Sequence, residues 1–469
     1  MNAKKLVSGC MAAFLLAGCA AGMTVQAKAK KQPVKLDQND SYTNAFDTNA
    51  YNTNALQTDY YEVETIETKG KLSFKAAQQT SDYRLSESEW ADSGCNYYFR
   101  QLNTLEKKLY LNLKTQADIY LTGADNFQTT TILRDGQQVQ TPVLPMVSYQ
   151  GMDTAQMKKV FSCFYFENPQ YYFMRNAVIY SEKKEVMTIG LYQAFADGSQ
   201  RQKYTGELAA KLFEWDEQIS QKETTVEKER LIHQIVCEHT EYDYTRETVD
   251  ADDARMSQSC ISAILFDRAT LCNGYAQFFS LLCNRAGIRC VTVTSEGHAW
   301  NKVCMGNIWY NVDCTWDDSR GDEKFLNTTD VQLRIEDSIA AEHTESEEWK
   351  GVAPSCEKAF DEKAANGKDT GADVPAPGKA AEFSVTANGK GKALIRFTKV
   401  DGCDGYSLQY AQNSSFNGAK KKTSESAEFE LTGLASGKTY YFRARAYVLD
   451  QNGENVYGAY AKKVKAAVL

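Results

Sequence analysis

The sequence predicts an α+β protein, in which a helical N-terminal extension and a mixed core precede an all-β sandwich. Three observations carry this prediction. Apolar stripes with helical spacing dominate before residue 287, β-rich segments follow at residues 289–313, and alternating strands alone occur after residue 383. A chain of 469 residues has room for two to four domains.

The first 64 residues are predicted to lie outside the folded core. Residues 1–23 have the basic start and short apolar stretch of a signal peptide. Leu16-Ala17-Gly18-Cys19 is similar to a bacterial lipobox, and this resemblance implies lipidation of Cys19. Cleavage after Ala27 to release a secreted protein is the alternative. Residues 24–64, with three short T-N-A repeats, are predicted to form a flexible tether.

Residues 65–206 are predicted to form an α/β extension. Residues 94–115 carry a helical apolar stripe, and residues 155–166 form a second helix that Asn168-Pro169 ends. Residues 176–192 are typical of a β-hairpin. We expect this extension to pack on the core.

The core is predicted at residues 207–363 and opens with two helices. Thr224 and Glu227 form a capping-box pattern at the start of the second. His233 and His239 are six residues apart and fall on different faces of that helix, so we expect no metal between them. His343 is interpreted as a surface residue. The chain has no C-x-x-C pair, and we expect neither a metal nor a cofactor.

Cys272 is placed where a reactive thiol is favoured. The helical stripe that follows it ends at Gly287, so Cys272 lies at a helix N-terminus. Free amide groups and the positive end of the helix dipole stabilise a thiolate there. Gly274 is expected to leave room for a substrate backbone.

His298 and Asp313 fall on the two arms of a predicted hairpin. A two-residue turn at Met305–Gly306 pairs residues whose numbers sum to 611, and 298 + 313 = 611 places the two side chains opposite each other. A turn at Gly306–Asn307 gives a sum of 613 and makes them diagonal neighbours on the same face. A three-residue loop would separate them onto opposite faces.

Three motifs in this stretch resemble the transglutaminase-like superfamily, whose members are related to papain-type cysteine peptidases. They are C-N-G-Y-A at residues 272–276, G-H-A-W-N at 297–301 and W-Y-N-V-D-C-T-W-D-D at 309–318. The resemblance implies a catalytic triad in which Cys272 is the nucleophile, His298 the general base and acid, and Asp313 the residue that orients the imidazole. It also implies a papain/transglutaminase-like core.

The last part of the chain has a different composition. Residues 364–382 are predicted to form a linker, and residues 383–469 an all-β module. Leu434, Gly437 and Tyr440 resemble the tyrosine corner of fibronectin type III domains. Phe397 stands where many members of that family have Trp.

Two functions remain open from the sequence. The first is a cell-surface thiol enzyme that acts on peptide or isopeptide amides, with cell-wall peptide as one candidate substrate. With water as the acyl acceptor it would be a peptidase or amidase, and with an amine as the acceptor it would be a transglutaminase. The second is a non-catalytic surface protein that binds or scaffolds. Both place the chain outside the cytoplasmic membrane, as a lipoprotein or secreted. A net charge of −8 without a long basic run argues against nucleic acid as a partner.

Overall fold

The computed structural model describes residues 58–69, 94–134, 136–243, 259–266, 270–336, 342–369, 377–449 and 455–469. The predicted signal peptide, its Cys19 and most of the predicted tether lie outside these residues. Among the residues described, the search for an apolar helix long enough to cross a bilayer finds none.

The extension is built on a mixed sheet with strand order β1-β5-β6-β3-β2, and β4 pairs with β6. The strands are β1 (Asp59–Glu62), β2 (Gln128–Arg134), β3 (Gln137–Val143), β4 (Val147–Ser148), β5 (Met174–Ser181) and β6 (Val186–Leu191). The β5–β6 pair confirms the predicted hairpin. Strand β1 lies parallel to β5, with Asp59 opposite Ala177, which corrects the predicted end of the tether at residue 64.

Helices α1 (Tyr97–Gln101), α2 (Thr104–Thr122) and α3 (Thr154–Glu167) complete the extension. They meet at the buried carboxylate of Glu167. Glu167 accepts hydrogen bonds from the backbone N–H groups of Tyr98 and Phe99 and from the hydroxyl of Tyr110. Burial outweighs these donors and raises the pKa of Glu167 to about 7.

The core combines helices with a four-stranded antiparallel sheet of order β10-β9-β8-β7. The helices are α4 (Gly198–Ser220), α5 (Thr225–His239), α6 (Cys260–Phe266), α7 (Cys272–Arg285), α8 (Cys314–Arg320) and α9 (Asp330–Glu336), and the strands are β7 (Arg289–Thr294), β8 (Ala299–Met305), β9 (Ile308–Val312) and β10 (Leu326–Thr328). The predicted capping box of Thr224 and Glu227 is confirmed at the start of α5. Helix α4 begins before the predicted core boundary at residue 207.

The extension packs on the core, as predicted. Tyr98 donates a hydrogen bond from its hydroxyl to the carbonyl of Thr292 in β7, at 2.8 Å. Its ring stacks on Trp349, with the ring centroids 5.0 Å apart. Asn273, directly after the candidate nucleophile, donates to the hydroxyl of Tyr165 in α3 at 3.3 Å.

The start of the predicted linker belongs to the core, which corrects the boundary at residue 364. Helix α10 (Glu362–Ala365) buries Ala365 completely. The side chain of Asn366 accepts a hydrogen bond from the backbone N–H of Val226 at 3.0 Å. Asp369 forms an ion pair with Arg289, at 2.8 Å.

The C-terminal module consists of two packed antiparallel sheets, of order β11-β12-β15 and β14-β13-β16-β17, with β18 paired to β16. The strands are β11 (Ser384–Ala387), β12 (Ala393–Arg396), β13 (Gly405–Ala411), β14 (Lys420–Ser424), β15 (Glu428–Leu431), β16 (Thr439–Leu449), β17 (Asn455–Tyr457) and β18 (Val464–Ala467). The hydroxyl of Tyr440 accepts a hydrogen bond from the backbone N–H of Ala435 at 3.1 Å, as a tyrosine corner requires. Phe397 lies in the core of the module.

Candidate active site

Cys272 is the first residue of α7, and its side chain is 3% exposed. The preceding residue, Leu271, caps the helix through its carbonyl, which accepts from the N–H of Gly274 at 2.9 Å, and the first turn of α7 is the positive end of the helix dipole. This location at a helix N-terminus agrees with the prediction from the sequence.

The expected role of Gly274 is wrong. A β-carbon at this position would lie 2.3 Å from the side-chain oxygen of Thr270 and would collide with its methyl group as well. Ser262 holds Thr270 by a hydrogen bond of 3.1 Å. Gly274 therefore lets the segment before α7 approach the helix, and Thr270 occupies the space that a substrate was expected to use.

His298 directly precedes β8 and is completely buried. Two hydrogen bonds join Ser295 to the backbone of His298. The serine hydroxyl accepts from the N–H of His298 at 3.1 Å, and the serine N–H donates to the carbonyl of His298 at 2.9 Å. The side chain of Asn301, in the same motif, donates to the carbonyl of Ala276 at 2.9 Å. The strand that carries the histidine is thus bonded to the helix that carries the cysteine.

Asp313 lies between β9 and α8. The register pairs Asn301 with Val312 and Met305 with Ile308, so the pair numbers sum to 613 and the turn is at Gly306–Asn307. Of the predicted registers, the diagonal one is therefore present. The carboxylate caps α8, accepting on Oδ1 from the N–H groups of Thr315 and Trp316 at 2.9 and 3.1 Å. Its Oδ2 accepts from Nε2 of His298 at 2.6 Å.

The two ring nitrogens of His298 have different surroundings. Nε2 is bonded to Asp313, whereas Nδ1 has no hydrogen-bond partner among the described residues, and Cys272 shares a buried cluster with Ala299, the residue directly after His298. Burial alone would lower the pKa of His298, but Asp313 and Cys272 outweigh it and hold that pKa well above its ordinary value. Burial would likewise raise the pKa of Asp313, but His298 and His343 hold it below its usual range.

His343 is the residue whose place the sequence did not indicate. It was expected on the surface, but its side chain is buried and Nε2 donates to Oδ2 of Asp313 at 2.9 Å. Two imidazoles therefore share one carboxylate oxygen, with their ring centroids 5.2 Å apart at right angles. His343 reaches this position because the segment after it returns to the sheet, where the N–H of Ser346 donates to the carbonyl of Thr294 at 2.9 Å.

Aromatic side chains surround the two histidines. Trp300, Trp316 and Phe325 lie with ring centroids 5.1, 5.2 and 5.8 Å from that of His343. Tyr242 packs against Cys272 and its neighbours from the other side. This shell excludes water from the imidazole–carboxylate pair and strengthens its electrostatic interaction.

A second cluster of titratable groups lies next to this site. Nε2 of His233 on α5 donates to Oδ2 of Asp317 on α8 at 3.0 Å, and Sγ of Cys237 lies 3.8 Å from the same nitrogen. The Cys237 thiol donates to the carbonyl of Cys314, which directly follows Asp313. His239 instead packs its ring edge-on against Trp215 and takes no part in the cluster.

Residues 214–314 match the model of the Transglutaminase-like superfamily. The chain contains a transglutaminase-like domain. Cys272, His298 and Asp313 all fall within the matched residues. The resemblance seen in the three motifs is therefore confirmed at the level of the domain, and the domain is of a kind that fits cysteine peptidases and acyltransferases.

Two curated relatives match part of this domain. Kyphoscoliosis peptidase of mouse is 33% identical over 115 residues, and the human protein of the same name is 32% identical over 114 residues. Each match covers 21% of this chain and 17% of the relative, so the chain spans about a sixth of the length of these proteins.

Solved structures match the C-terminal module. The sixth fibronectin type III domain of human fibronectin type III domain containing protein 3 is 17% identical, with 20% of this chain and 89% of that chain covered and a TM-score of 0.17. The FN5 domain of Drosophila Lar is 17% identical, with 20% and 96% covered and a TM-score of 0.16.

Proposed function

We propose that this chain is a cell-surface thiol enzyme that acts on peptide or isopeptide amide bonds through Cys272, His298 and Asp313. One observation carries the proposal: Nε2 of His298 is bonded to the buried Asp313, while Cys272, at the N-terminus of α7, shares a buried cluster with Ala299, the residue directly after the histidine. An imidazole held in this way accepts a proton on one nitrogen, while the carboxylate on the other fixes its tautomer.

The reaction begins when Nδ1 of His298 takes the proton of the Cys272 thiol. The thiolate attacks the carbonyl carbon of the amide, and the carbonyl oxygen takes the negative charge near the first amide groups of α7. As the C–N bond breaks, the imidazolium returns its proton to the leaving amine. Asp313 stabilises the imidazolium throughout, and the product is a thioester on Cys272.

The acceptor then determines the outcome. His298 takes a proton from water or from an amine, the acceptor attacks the thioester, and the Cys272 thiol is released. Water completes an amidase or peptidase reaction, and an amine completes a transglutaminase reaction. We propose protein or peptide as the substrate class, which includes cell-wall peptide, and the outer side of the cytoplasmic membrane as the location.

The location is tested separately from the chemistry. The chain, expressed in a bacterium that processes lipoproteins, should incorporate labelled fatty acid through Cys19 and fractionate with membranes. Cys19→Ala should lose the label and the membrane association. A wild-type chain that enters the medium without lipid would instead favour cleavage after Ala27 and secretion.

Thioester formation tests the activity directly. The purified chain is incubated with a library of amide and peptide substrates, quenched with acid and measured by intact mass. We expect an acyl adduct on Cys272 that hydroxylamine removes and that is absent from Cys272→Ala. Turnover by folded Cys272→Ala at the wild-type rate would contradict the proposal, since no thioester could then be involved.

A further inference from the structure

The side-chain cluster between α5 and α8 offers a set of soft metal ligands that the proposed reaction does not use. His233 and Cys237 are one turn apart on α5, and Cys314 is the first residue of α8. Nε2 of His233 and the two Sγ atoms all lie within 4.8 Å of one another. The spacing of four residues, unlike the spacing of six to His239, puts both α5 ligands on one helix face.

These separations are close to those of a tetrahedral zinc site. With Zn–S near 2.3 Å and Zn–N near 2.0 Å, two ligand atoms of such an ion lie about 3.5–3.8 Å apart. The Nε2 atom of His233 is already 3.8 Å from Sγ of Cys237. Side-chain rotations that shorten the longest separation by about 1 Å would therefore complete the three-ligand set.

Asp317 is the candidate for the fourth position. Asp317 lies one turn after Cys314, and its Oδ2 is 3.0 Å from Nε2 of His233. Its Oδ1 is fixed by the backbone N–H of Phe325 at 2.8 Å, so Oδ2 can exchange the imidazole for an ion while the carboxylate stays in place. The resulting donors would be two sulfurs, one nitrogen and one oxygen, a set suited to zinc.

The surroundings of the cluster favour a cation. Cys237 lies in the last turn of α5, where the helix dipole is negative. Glu229 lies one turn before His233 on the same helix and is completely buried; its Oε1 has no hydrogen-bond partner among the residues that the structure describes. A buried carboxylate beside a ligating imidazole is a common outer-shell partner in metal sites. Cys237 is partly exposed, which gives an ion a path to the cluster.

We propose that His233, Cys237 and Cys314, with Asp317 as the fourth ligand, bind one zinc ion. Cys314 follows Asp313 directly, and α8 begins between Asp313 and Asp317. An ion held by both helices would join α5 to the helix that Asp313 caps. The proposed role of zinc is therefore structural, and zinc takes no part in the acyl-transfer steps described above.

The experiment uses the full chain carrying Cys272→Ala, so that neither zinc binding at the candidate nucleophile nor the fate of the proposed reaction affects the result. The protein is reduced, freed of metal with a chelator, titrated with zinc against a chromophoric chelator and measured for bound metal. We expect one zinc per chain. Cys237→Ser and His233→Gln should each weaken binding at least about 100-fold, because outer-shell changes alone weaken metal sites by about 10–100-fold.

Cys403→Ser is the matched control, because Cys403 is also a partly exposed free thiol but lies in the C-terminal module. Its zinc affinity should equal that of the parent. Absence of zinc binding, or binding that persists in Cys237→Ser and is lost in His343→Gln, would overturn the proposal, as the latter would place the ion at the His298–Asp313–His343 group.

A second measurement needs no substitution at the ligands and therefore does not depend on folding of the variants. Alkylation of individual cysteines is followed by peptide mass spectrometry with and without zinc. Zinc should slow the labelling of Cys237 at least tenfold and leave Cys403 unchanged. Equal labelling of Cys237 in both conditions would also overturn the proposal, and would indicate that the cluster is a hydrogen-bonded contact between two helices.

Discussion

Among the residues that the structure describes, two clusters combine a buried histidine–aspartate pair with a cysteine, the His298–Asp313 pair and the His233–Asp317 pair, and they differ in geometry. Nε2 of His298 lies 2.6 Å from Oδ2 of Asp313, and Nε2 of His233 lies 3.0 Å from Oδ2 of Asp317. Each pair also has a cysteine beside it. The presence of thiol, imidazole and carboxylate together is therefore not sufficient to identify a nucleophile.

The difference lies in which ring nitrogen each neighbour meets. His298 uses Nε2 for the carboxylate and keeps Nδ1 for Cys272. His233 presents the same Nε2 to both Asp317 and Cys237, and one nitrogen that donates its proton to a carboxylate cannot also accept a proton from a thiol. A proton can thus move from thiol to imidazole in the first pair but not in the second.

The two thiols also lie at opposite ends of their helices. Cys272 is the first residue of its helix, whereas Cys237 is two residues before the last residue of its own. The helix dipole is positive at the first position and negative at the second. Hydrogen bonding and His233 nevertheless hold the pKa of Cys237 at about 7. A lowered thiol pKa by itself therefore does not identify the catalytic residue.

The largest expected effect comes from removing each thiol in turn. Cys272→Ala should lower the rate of amide cleavage or transfer at least about 10⁴-fold, because the covalent step is lost. Cys237→Ala should leave the rate within about threefold, because no reacting atom meets Cys237. Initial rates on the substrate found by adduct mass measure both. Comparable losses in the two variants would mean that the pairs do not differ in function.

Replacing the two aspartates should give the next largest difference in kcat. Asp313→Asn should reduce kcat at least about 100-fold, because a neutral amide stabilises the imidazolium less than a carboxylate does and, with its NH₂ group turned to the ring, favours the wrong tautomer. Asp317→Asn should leave kcat within a few-fold and lower the free energy of unfolding by about 1–3 kcal/mol, as expected for a disturbed buried hydrogen bond. Steady-state kinetics and urea unfolding of both variants provide the check. A larger kinetic loss in Asp317→Asn would reverse the assignment.

The two pairs also differ in a further contact, because the carboxylate of Asp313 accepts a second hydrogen bond, from the imidazole of His343. His343→Ala should lower kcat roughly tenfold, since a charged-group hydrogen bond of about 1.5 kcal/mol or more is removed. It should also move the acidic limb of the pH–rate profile to higher pH, because one of the groups that lowers the pKa of Asp313 is gone. His343→Gln keeps a donor and should recover most of both effects. An unchanged pH profile in His343→Ala would show that the residue only fills space.

The smallest expected effect is on pH-dependent stability. Burial would lower the pKa of His233, but its bonds to Asp317 and Cys237 raise it to about 11. The raised pKa stabilises the folded chain fully below the ordinary histidine pKa of about 6.5, and this contribution is lost as pH rises towards 11. Burial raises the pKa of Asp317 to about 6, which also favours the folded chain at low pH. We expect the free energy of unfolding to fall by about 1–3 kcal/mol between pH 6.5 and 9.

His233→Gln should flatten that dependence, and Asp317→Asn should do so too, because its bond to Asp317 raises the pKa of His233. Urea unfolding at several pH values measures both. The His298–Asp313 pair is present in all these proteins, so the difference between parent and variant belongs to the second pair. A parent curve that rises across this range, or one that His233→Gln leaves unchanged, would contradict the assigned charge states.

Much of this arrangement could be predicted because it depends on local order in the chain. The helix after Cys272 follows from its apolar stripe, and the hairpin that brings His298 to Asp313 follows from pairing arithmetic. The choice between the registers needed the structure, because it depends on which two residues form the turn. Gly306 and Asn307 form it, and both have left-handed backbone conformations. The tyrosine corner of the C-terminal module is equally local.

The parts that could not be predicted depend on packing between distant segments. His343 meets Asp313 because the loop that carries it returns to β7, and no spacing in the sequence encodes that return. The H-x-x-x-C spacing of His233 and Cys237 was visible, but its partner Cys314 is 77 residues from Cys237 and meets it only because α5 packs on α8. The early end of the tether and the docking of residues 364–369 likewise depend on partners far away in the chain.

Activation of Cys272 by His298 is measured by the rate of iodoacetamide labelling of individual cysteines at pH 6, read by peptide mass spectrometry on metal-free protein. We expect His298→Ala to slow the labelling of Cys272 at least about tenfold and to leave Cys237 unchanged, because only Cys272 depends on that imidazole for its thiolate. His233→Gln should have no effect on Cys272. Labelling of Cys272 at the same rate in the parent and in His298→Ala would show that the imidazole does not activate the thiol.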